Sequence, residues 1–397
     1  MSAACLGQEP LGQHVVNIPR IVYGSKSIIR SCQVSRSEVR DVGIPPLTRI
    51  QWLIIAGSIV LSVLAGILTF LQANAVLIFV IAAVALALLA ALVGQATDQL
   101  GEHLGAGATG VLQSALGNLP ELFVGIFALR AGLVDVVQSA LVGSILGNSL
   151  FVLGLAFLIG GLRHGTQRFS SDTPRMIANL TLLSVAALIV PTLTFELHTP
   201  AAGHEDGLSI ACAMILLVVF IASIPVSLKG GPTILPKEGT ASLRSWPIWL
   251  AVVILVGAGV GAAFVSDWFV SALTPAIEVL HISPAFTGLV IVALAGNAVE
   301  NVVGIQFAAR NQSDFAMSVI LNSSLQVALG LTPVLVLLSF FIGGAHLTLV
   351  LAPLLVAALA LSAILSTVII YDGESTWLEG LSLIGLYGII AVSFWWG

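Results

Sequence analysis

The sequence predicts an all-α integral membrane protein with about eleven transmembrane helices. Of its 397 residues, 58% are hydrophobic and only 8% are charged, whereas about a quarter of the residues of a soluble domain are charged. The apolar residues form runs of roughly 20 residues, the length that a helix needs to cross a bilayer. They do not alternate with polar residues as in a β-barrel. These observations exclude a soluble globular protein and a disordered or fibrous chain.

The apolar runs divide the chain into five parts. Residues 1–47 form a polar, basic leader, expected to be flexible and cytoplasmic, and 48–72 contain an extra first transmembrane helix. A first five-helix repeat occupies 73–228, a cytoplasmic central loop 229–246, and a second five-helix repeat 247–397. The leader lacks the apolar core of a cleavable signal peptide. The predicted spans lie near 50–70, 73–93, 104–131, 134–161, 175–195, 207–228, 247–270, 283–310, 314–342, 346–370 and 375–396.

The two sets of five segments are related by an internal repeat. When the sequence is aligned with itself at a shift of 179 positions, four residues of the first repeat match identical residues of the second. Gly117, Asn118, Glu121 and Ser144 align with Gly296, Asn297, Glu300 and Ser323, in that order. Because five is an odd number, consecutive repeats must enter the membrane from opposite sides. The sequence therefore predicts inverted repeats related by a pseudo-two-fold axis in the membrane plane, an arrangement common among secondary transporters.

The basic residues predict the orientation of the chain. If the leader is cytoplasmic, eleven crossings place thirteen of the fourteen Lys and Arg residues inside and leave only Arg130 outside. Cytoplasmic loops of membrane proteins carry such an excess of positive charge. We therefore expect a cytoplasmic N-terminus and an external C-terminus.

Two carboxylates, Glu121 and Glu300, lie deep inside apolar segments and at the same position of each repeat. An ionisable side chain inside a membrane is costly and marks a functional site by default. Gly117 and Pro120 weaken the helix before Glu121, and Gly296 does so before Glu300. A helix break there frees backbone carbonyls beside each carboxylate. Carboxylate, amide and carbonyl oxygens are the ligands that Ca²⁺ prefers.

The charge of the two glutamates suggests a mechanism. Two buried carboxylates cannot both stay ionised and unpaired in a medium of low dielectric constant. One divalent cation neutralises both, and so do two protons. Because these loads exclude each other, we predict a secondary antiporter that works by alternating access. A Na⁺- or K⁺-coupled cation exchanger remains an alternative, and a cation channel a more distant one.

An enzyme is not expected, because the sequence pairs no nucleophile with a base and contains no zinc motif. A nucleotide is not expected either, since no phosphate-binding loop motif occurs.

Both glutamate motifs resemble a known family. Gly117-Asn118-Leu119-Pro120-Glu121 and Gly296-Asn297-Ala298-Val299-Glu300 are similar to the paired repeat signatures of calcium/proton antiporters, in the cation/calcium exchanger superfamily. The resemblance extends through Ala96-Thr97-Asp98-Gln99-Leu100, Val137-Gln138-Ser139, Gly143-Ser144-Ile145-Leu146 and Asn322-Ser323-Ser324-Leu325-Gln326. It covers nearly everything from about 50 to 397.

The resemblance implies a role for each group of residues. Glu121 and Glu300 would bind Ca²⁺ and protons alternately. Backbone carbonyls near Gly117, Asn118, Gly296 and Asn297 would complete the shell, and Gln138, Gln326, Ser144 and Ser323 would support it. The side chains of Asn118 and Asn297 either bind the cation directly or cap the half-helices.

The expected partners follow from this interpretation. They are Ca²⁺ and H⁺ as transported ions and the lipid bilayer as surroundings. We expect no cofactor, no nucleic acid and no nucleotide. The absence of a sorting signal favours a prokaryotic plasma membrane, and the sequence leaves the oligomeric state open.

Overall fold

A computed structural model describes residues 47–104, 113, 116–169, 172–230 and 246–396. The predicted leader, apart from Leu47, and most of the predicted central loop lie outside these residues. The helices of the described part are α1 Arg49–Phe70, α2 Ala75–Leu104, α3 Leu119–Arg130, α4 Val134–His164, α5 Asp172–Glu196, α6 Glu205–Gly230, α7 Ile248–Leu280, α8 Pro284–Gly296, α9 Ala298–Ala309, α10 Ser313–Ser339, α11 Pro353–Asp372 and α12 Trp377–Ser393. Two short strands, β1 Gln167–Arg168 and β2 Glu374–Ser375, pair antiparallel.

The predicted all-α membrane fold is confirmed. Eight of the described helices are long and apolar enough to cross a bilayer, and α8 with α9 forms a ninth, bent span. The last predicted span corresponds to α12, an apolar helix of 17 residues. The described part of the predicted span 104–131 contains the helix α3 of 12 residues. The outermost helix is α1, whose large apolar side chains are mostly exposed and face the lipid in a membrane.

The interior is built on α4 and α10, the most buried of the long apolar helices in the described chain. These two helices occupy equivalent positions in the two repeats. Each contains a π-helical stretch at the same place, Gly147–Val152 in α4 and Val327–Leu331 in α10. π-Helical turns inside α-helices occur frequently at functional sites.

Glycines bring α4 and α8 into backbone contact. A Cβ atom on Gly143 would lie 2.2 Å from the carbonyl oxygen of Leu289, and one on Gly288 would lie 2.4 Å from that of Val136. Small residues permit this close approach between helices in a membrane. The contact holds α8, the helix that ends at Gly296, directly against the first repeat.

The predicted span 346–370 begins later than expected. The helix α11 starts at Pro353, and residues 346–352 form a non-helical segment with a bend at Leu349 instead. In this non-helical segment 346–352, Leu347, Leu349 and Leu351 are buried. Apolar side chains alone therefore suggested a helix that the backbone does not form.

Polar side chains of the surrounding helices form hydrogen bonds with the backbone of the non-helical segment 346–352. The amide of Gln138 donates to the carbonyls of Thr348 at 2.9 Å and Val350 at 3.0 Å. Three hydroxyls accept from its N–H groups at 2.8–3.0 Å, those of Ser339, Ser209 and Thr192. Non-helical backbone is tolerated at membrane depth only when it is satisfied inside the protein. These bonds explain how the segment remains non-helical inside the protein.

Candidate cation site

Both glutamates lie in the first turn after a helix break. The helix α3 begins at Leu119, directly after Gly117 and Asn118, and Glu121 lies in its first turn. The helices α8 and α9 meet at Asn297 with a bend of 65°, and Glu300 lies in the first turn of α9. The positive end of a helix dipole favours a carboxylate at this position.

The two repeats bring the carboxylates together. A Cβ atom on Gly296 would lie 2.6 Å from Cγ and 2.7 Å from Oε1 of Glu121, so Glu121 of the first repeat rests on the helix break of the second. Glu121 and Glu300 are close enough for their charges to repel each other. Glu121 is only 9% exposed, and its Oε2 has no hydrogen-bond partner among the described residues. Glu300 is half-buried and interacts electrostatically with the exposed Asp98 of α2.

A neutral hydrogen-bond network lies beside the glutamates and is centred on Asn297, which is 2% exposed. Its Nδ2 donates to the hydroxyl of Ser144 at 3.0 Å and to the carbonyl of Ala293 at 2.9 Å. Its Oδ1 accepts from Ser323 and from Asn148, both at 3.2 Å. All four hydrogen-bonding positions of this amide are therefore occupied.

The other predicted residues lie in different surroundings. Asn118, the repeat counterpart of Asn297, makes no capping hydrogen bond to the described part of α3 through its side chain. Gln138 donates both hydrogens of its amide to the non-helical segment 346–352 and so supports that segment. Gln326 is buried at the point where the π-helical stretch of α10 begins. Ser144 and Ser323 belong to the network around Asn297.

Asn148 is the residue of this network that the sequence analysis did not identify. It is 1% exposed, and besides its bond to Asn297 its Nδ2 donates to the hydroxyl of Ser323 at 2.9 Å. The repeat shift pairs Asn148 with Val327, so a comparison of the two halves does not find it. A run of three small or polar residues, Gly147-Asn148-Ser149, inside an apolar span was the available signal.

A small cavity lies against Glu121. Its volume is about 20 Å³, and its other lining residues include Ser144, Val124, Ala128 and Leu141. A cavity of this size holds about one water molecule. In the described part of the chain, no group of three or more His, Cys, Asp and Glu side chains is arranged to hold a metal ion. A cation beside Glu121 and Glu300 would therefore complete its shell with backbone, amide, hydroxyl or water oxygens.

A membrane protein of two related helical repeats, with paired carboxylates at helix breaks, belongs to the class of secondary transporters. The family model for the sodium/calcium exchanger protein matches residues 74–229 and again 250–396. The chain belongs to this family. This membership confirms the resemblance to the cation/calcium exchanger superfamily, and the protein is a transporter rather than an enzyme.

Individual relatives are similar over most of their length. The chain is 33% identical to a Ca²⁺/H⁺ antiporter of Synechocystis over 340 residues, which cover 80% of this chain and 90% of the relative. It is 30% identical to the Ca²⁺/H⁺ antiporter ChaA of Bacillus subtilis over 356 residues, 88% of this chain and 99% of the relative. The structure of native YfkE matches with a TM-score of 0.74 at 29% identity and covers 86% of this chain and 99% of YfkE.

Proposed function

We propose that this protein is a secondary antiporter that exports Ca²⁺ from the cytoplasm in exchange for H⁺, with Glu121 and Glu300 binding either load. The observation that carries the proposal is the contact of Glu121, from the first repeat, with the helix break that precedes Glu300 in the second. The relatives named above are Ca²⁺/H⁺ antiporters, which favours Ca²⁺ and H⁺ as the transported pair.

Charge balance explains why the loads are exchanged. The two carboxylates carry two negative charges when ionised, and burial without compensation is costly. One Ca²⁺ ion compensates both charges, and two protons remove them. Since both loads use the same oxygens, the site releases Ca²⁺ when it takes up protons. Asp98, which is exposed and interacts with Glu300, adds negative charge on the side from which the cation would enter.

Alternating access would follow from movement of the two repeats around this site. The break at Asn297 separates α9 from α8, so α9 changes its angle without unfolding a continuous helix. Inverted repeats related by an axis in the membrane plane then expose the site to each side in turn. The basic residues favour a cytoplasmic N-terminus and an external C-terminus. We infer that the protein resides in a prokaryotic plasma membrane.

Proton release from inside-out vesicles tests this function. In vesicles with an acidic interior, addition of Ca²⁺ is expected to raise the internal pH, because Ca²⁺ enters as protons leave. Addition of Na⁺ or K⁺ is expected to have no effect. Ca²⁺ uptake without proton movement would indicate a channel, and Ca²⁺ uptake driven by an opposed Na⁺ or K⁺ gradient would indicate a different coupling ion.

Two substitutions test the shared site. Glu121→Gln and Glu300→Gln keep the size of each side chain and remove one charge, so each is expected to abolish Ca²⁺-dependent proton release. The control is Glu278→Gln at an exposed position near the end of α7, which is expected to leave the exchange rate unchanged. Normal exchange by either site variant, at an equal amount of folded protein, would contradict the shared site.

A further inference from the structure

The cytoplasmic end of α9 is capped by two side chains from the first repeat. The last carbonyl groups of a helix lack partners inside the helix. Nε2 of His164 lies 3.0 Å from the carbonyl oxygen of Ala309, and Nε2 of Gln167 donates to that of Ala308 at 3.2 Å. His164 is the last residue of α4, and Gln167 begins β1. The helix that carries Glu300 is thus held at this end by α4 and the strand that follows it.

The same helix, α4, also holds the beginning of α9. Ser144 and Asn148 of α4 bond to the amide of Asn297, directly before α9. The helix α9 has only 12 residues, about three turns of a rigid rod. A change in the cap at Ala309 therefore changes the position of Glu300 at the opposite end.

The equivalent end of α3 is capped in another way. The carbonyl of Leu129 accepts from the backbone N–H of Ala345 at 3.1 Å. Gly344 permits this close approach, since a Cβ atom there would lie 2.7 Å from the same carbonyl oxygen. A backbone amide does not titrate, whereas a histidine changes its charge between about pH 5 and pH 8. Of these two equivalent caps, the one on the Glu300 helix is the one that contains a titratable side chain.

The arginines around His164 are exposed or paired. Arg163 precedes it on α4, and Arg310 follows the capped carbonyl of Ala309; both are exposed. Arg168 of β1 forms an ion pair of 3.0 Å with Glu374 of β2. Asp314, which is half-buried, lies in the first turn of α10, beyond the turn that follows α9. The cap is therefore adjacent in sequence to Arg163 and Arg310 and lies at the negative end of the α9 dipole.

We propose that His164 is a positioning residue, whose protonation on the cytoplasmic side strengthens the cap on α9 and stabilises Glu300 in its position beside Glu121. A cation at a helix C-terminus interacts favourably with the helix dipole and strengthens the hydrogen bond to the last carbonyl. Cytoplasmic acidification would then act on the exchanger at a group outside the cation site. This inference rests on the proposed function of Glu300 and on the proposed topology.

The test compares wild type with His164→Gln and His164→Ala. Glutamine keeps a donor for the carbonyl of Ala309 but cannot take a charge. The half-saturating Ca²⁺ concentration of His164→Gln is expected to match wild type at about pH 8 on the cytoplasmic face and to exceed it about two- to fivefold at about pH 6. His164→Ala, which has no donor, is expected to be impaired at both pH values. The matched control is His198→Gln, because Nδ1 of the exposed His198 lies 2.9 Å from a local carbonyl oxygen, that of Glu196.

Hydrogen exchange of the amides in 298–309 provides a readout that does not need transport. Relative to His164→Gln, wild type is expected to exchange these amides more slowly at about pH 6 and equally at about pH 8. The proposal is overturned if the exchange rates of wild type and His164→Gln have the same ratio at both pH values. It is also overturned if His198→Gln shows the same pH-dependent change in half-saturating Ca²⁺ concentration as His164→Gln. If wild type moves no protons with Ca²⁺, the proposed function fails, and the exchange measurement alone decides whether His164 is a pH-dependent cap.

Discussion

Replacing Gly296 with alanine is expected to impair exchange strongly while leaving the fold intact. The added Cβ atom would lie 2.6 Å from Cγ of Glu121, whereas carbon atoms make favourable contacts at about 3.5–4.0 Å. The side chain of Glu121 must therefore retreat by roughly 1 Å. Ligand oxygens lie about 2.3–2.6 Å from bound Ca²⁺, so a shift of this size removes the Glu121 carboxylate from the shell. We expect at least about a tenfold weaker affinity for Ca²⁺, which corresponds to about 1.4 kcal/mol.

Gly147→Ala is the matched control for this substitution. Gly147 is also buried and helical and lies in the same core, but nothing lies within 4 Å of the Cβ atom that alanine would add there. Gly147 lies inside α4, where alanine is favoured over glycine by about 1 kcal/mol. The Gly147 variant is therefore expected to exchange Ca²⁺ normally and to be at least as stable as wild type.

The assay for both glycine variants is Ca²⁺-dependent proton release from inside-out vesicles, normalised to folded protein and measured over a range of Ca²⁺ concentrations. Thermal stability in detergent is measured in parallel. Wild-type affinity in Gly296→Ala would refute the argument that Glu121 binds the cation from its position on the helix break. Equal losses in Gly296→Ala and Gly147→Ala would show that a methyl group anywhere in this core disturbs transport.

Two further substitutions test the polar interior. Asn148→Val copies the valine at the equivalent position of the second repeat and removes a hydrogen-bond donor from Asn297. We expect it to lower the free energy of unfolding by about 1–3 kcal/mol and to lower the thermal midpoint, whereas the control Asn179→Val, at an exposed position, should not. An unchanged midpoint in Asn148→Val would contradict the network. Gln138→Leu leaves two half-buried residues of the non-helical segment 346–352, Thr348 and Val350, without the donor to their carbonyls, so we expect a low yield of folded protein. The control Gln306→Leu, at an exposed position, should fold normally. An equal yield from both would show that Gln138 does not hold the segment.

The membrane spans and the glutamate pair were predictable because their signals are local or repeated. A run of apolar residues identifies a span without knowledge of its neighbours. Glu121 and Glu300 stood out because a carboxylate in such a run is costly and because both occupy the same repeat position. Their proximity in the structure agrees with that reasoning, and the helix break at Asn297 lies beside the glycine that suggested it.

The non-helical segment 346–352 and Asn148 were not predictable in the same way. The sequence of the segment is mostly apolar, and its form depends on Ser339 at the end of α10 and on three helices that are distant in the chain, through Gln138, Ser209 and Thr192. Asn148 has a valine as its repeat counterpart, so its role follows only from its contact with Asn297 across the two repeats. Tertiary hydrogen bonds determine both features. Neither the local hydrophobicity of the sequence nor the comparison of the two repeats reveals such bonds.

The hydrogen bonds of Asn297 also limit how the proposed site can bind a cation. Its Oδ1 already accepts two hydrogen bonds and its Nδ2 donates two, so direct coordination by Oδ1 would require the loss of a buried bond, at about 0.5–1.5 kcal/mol or more. The backbone carbonyl of Asn297 accepts one hydrogen bond, from the N–H of Asn301 at 3.1 Å. Since a carbonyl oxygen has two lone pairs, it could bind a cation without that loss. The network around Asn297 is neutral, so the charge of the proposed site resides on Glu121 and Glu300, with Asp98 interacting with Glu300. In the proposed mechanism the two loads therefore compete at the carboxylates, while Asn297 keeps α8 and α9 at the angle that brings them together.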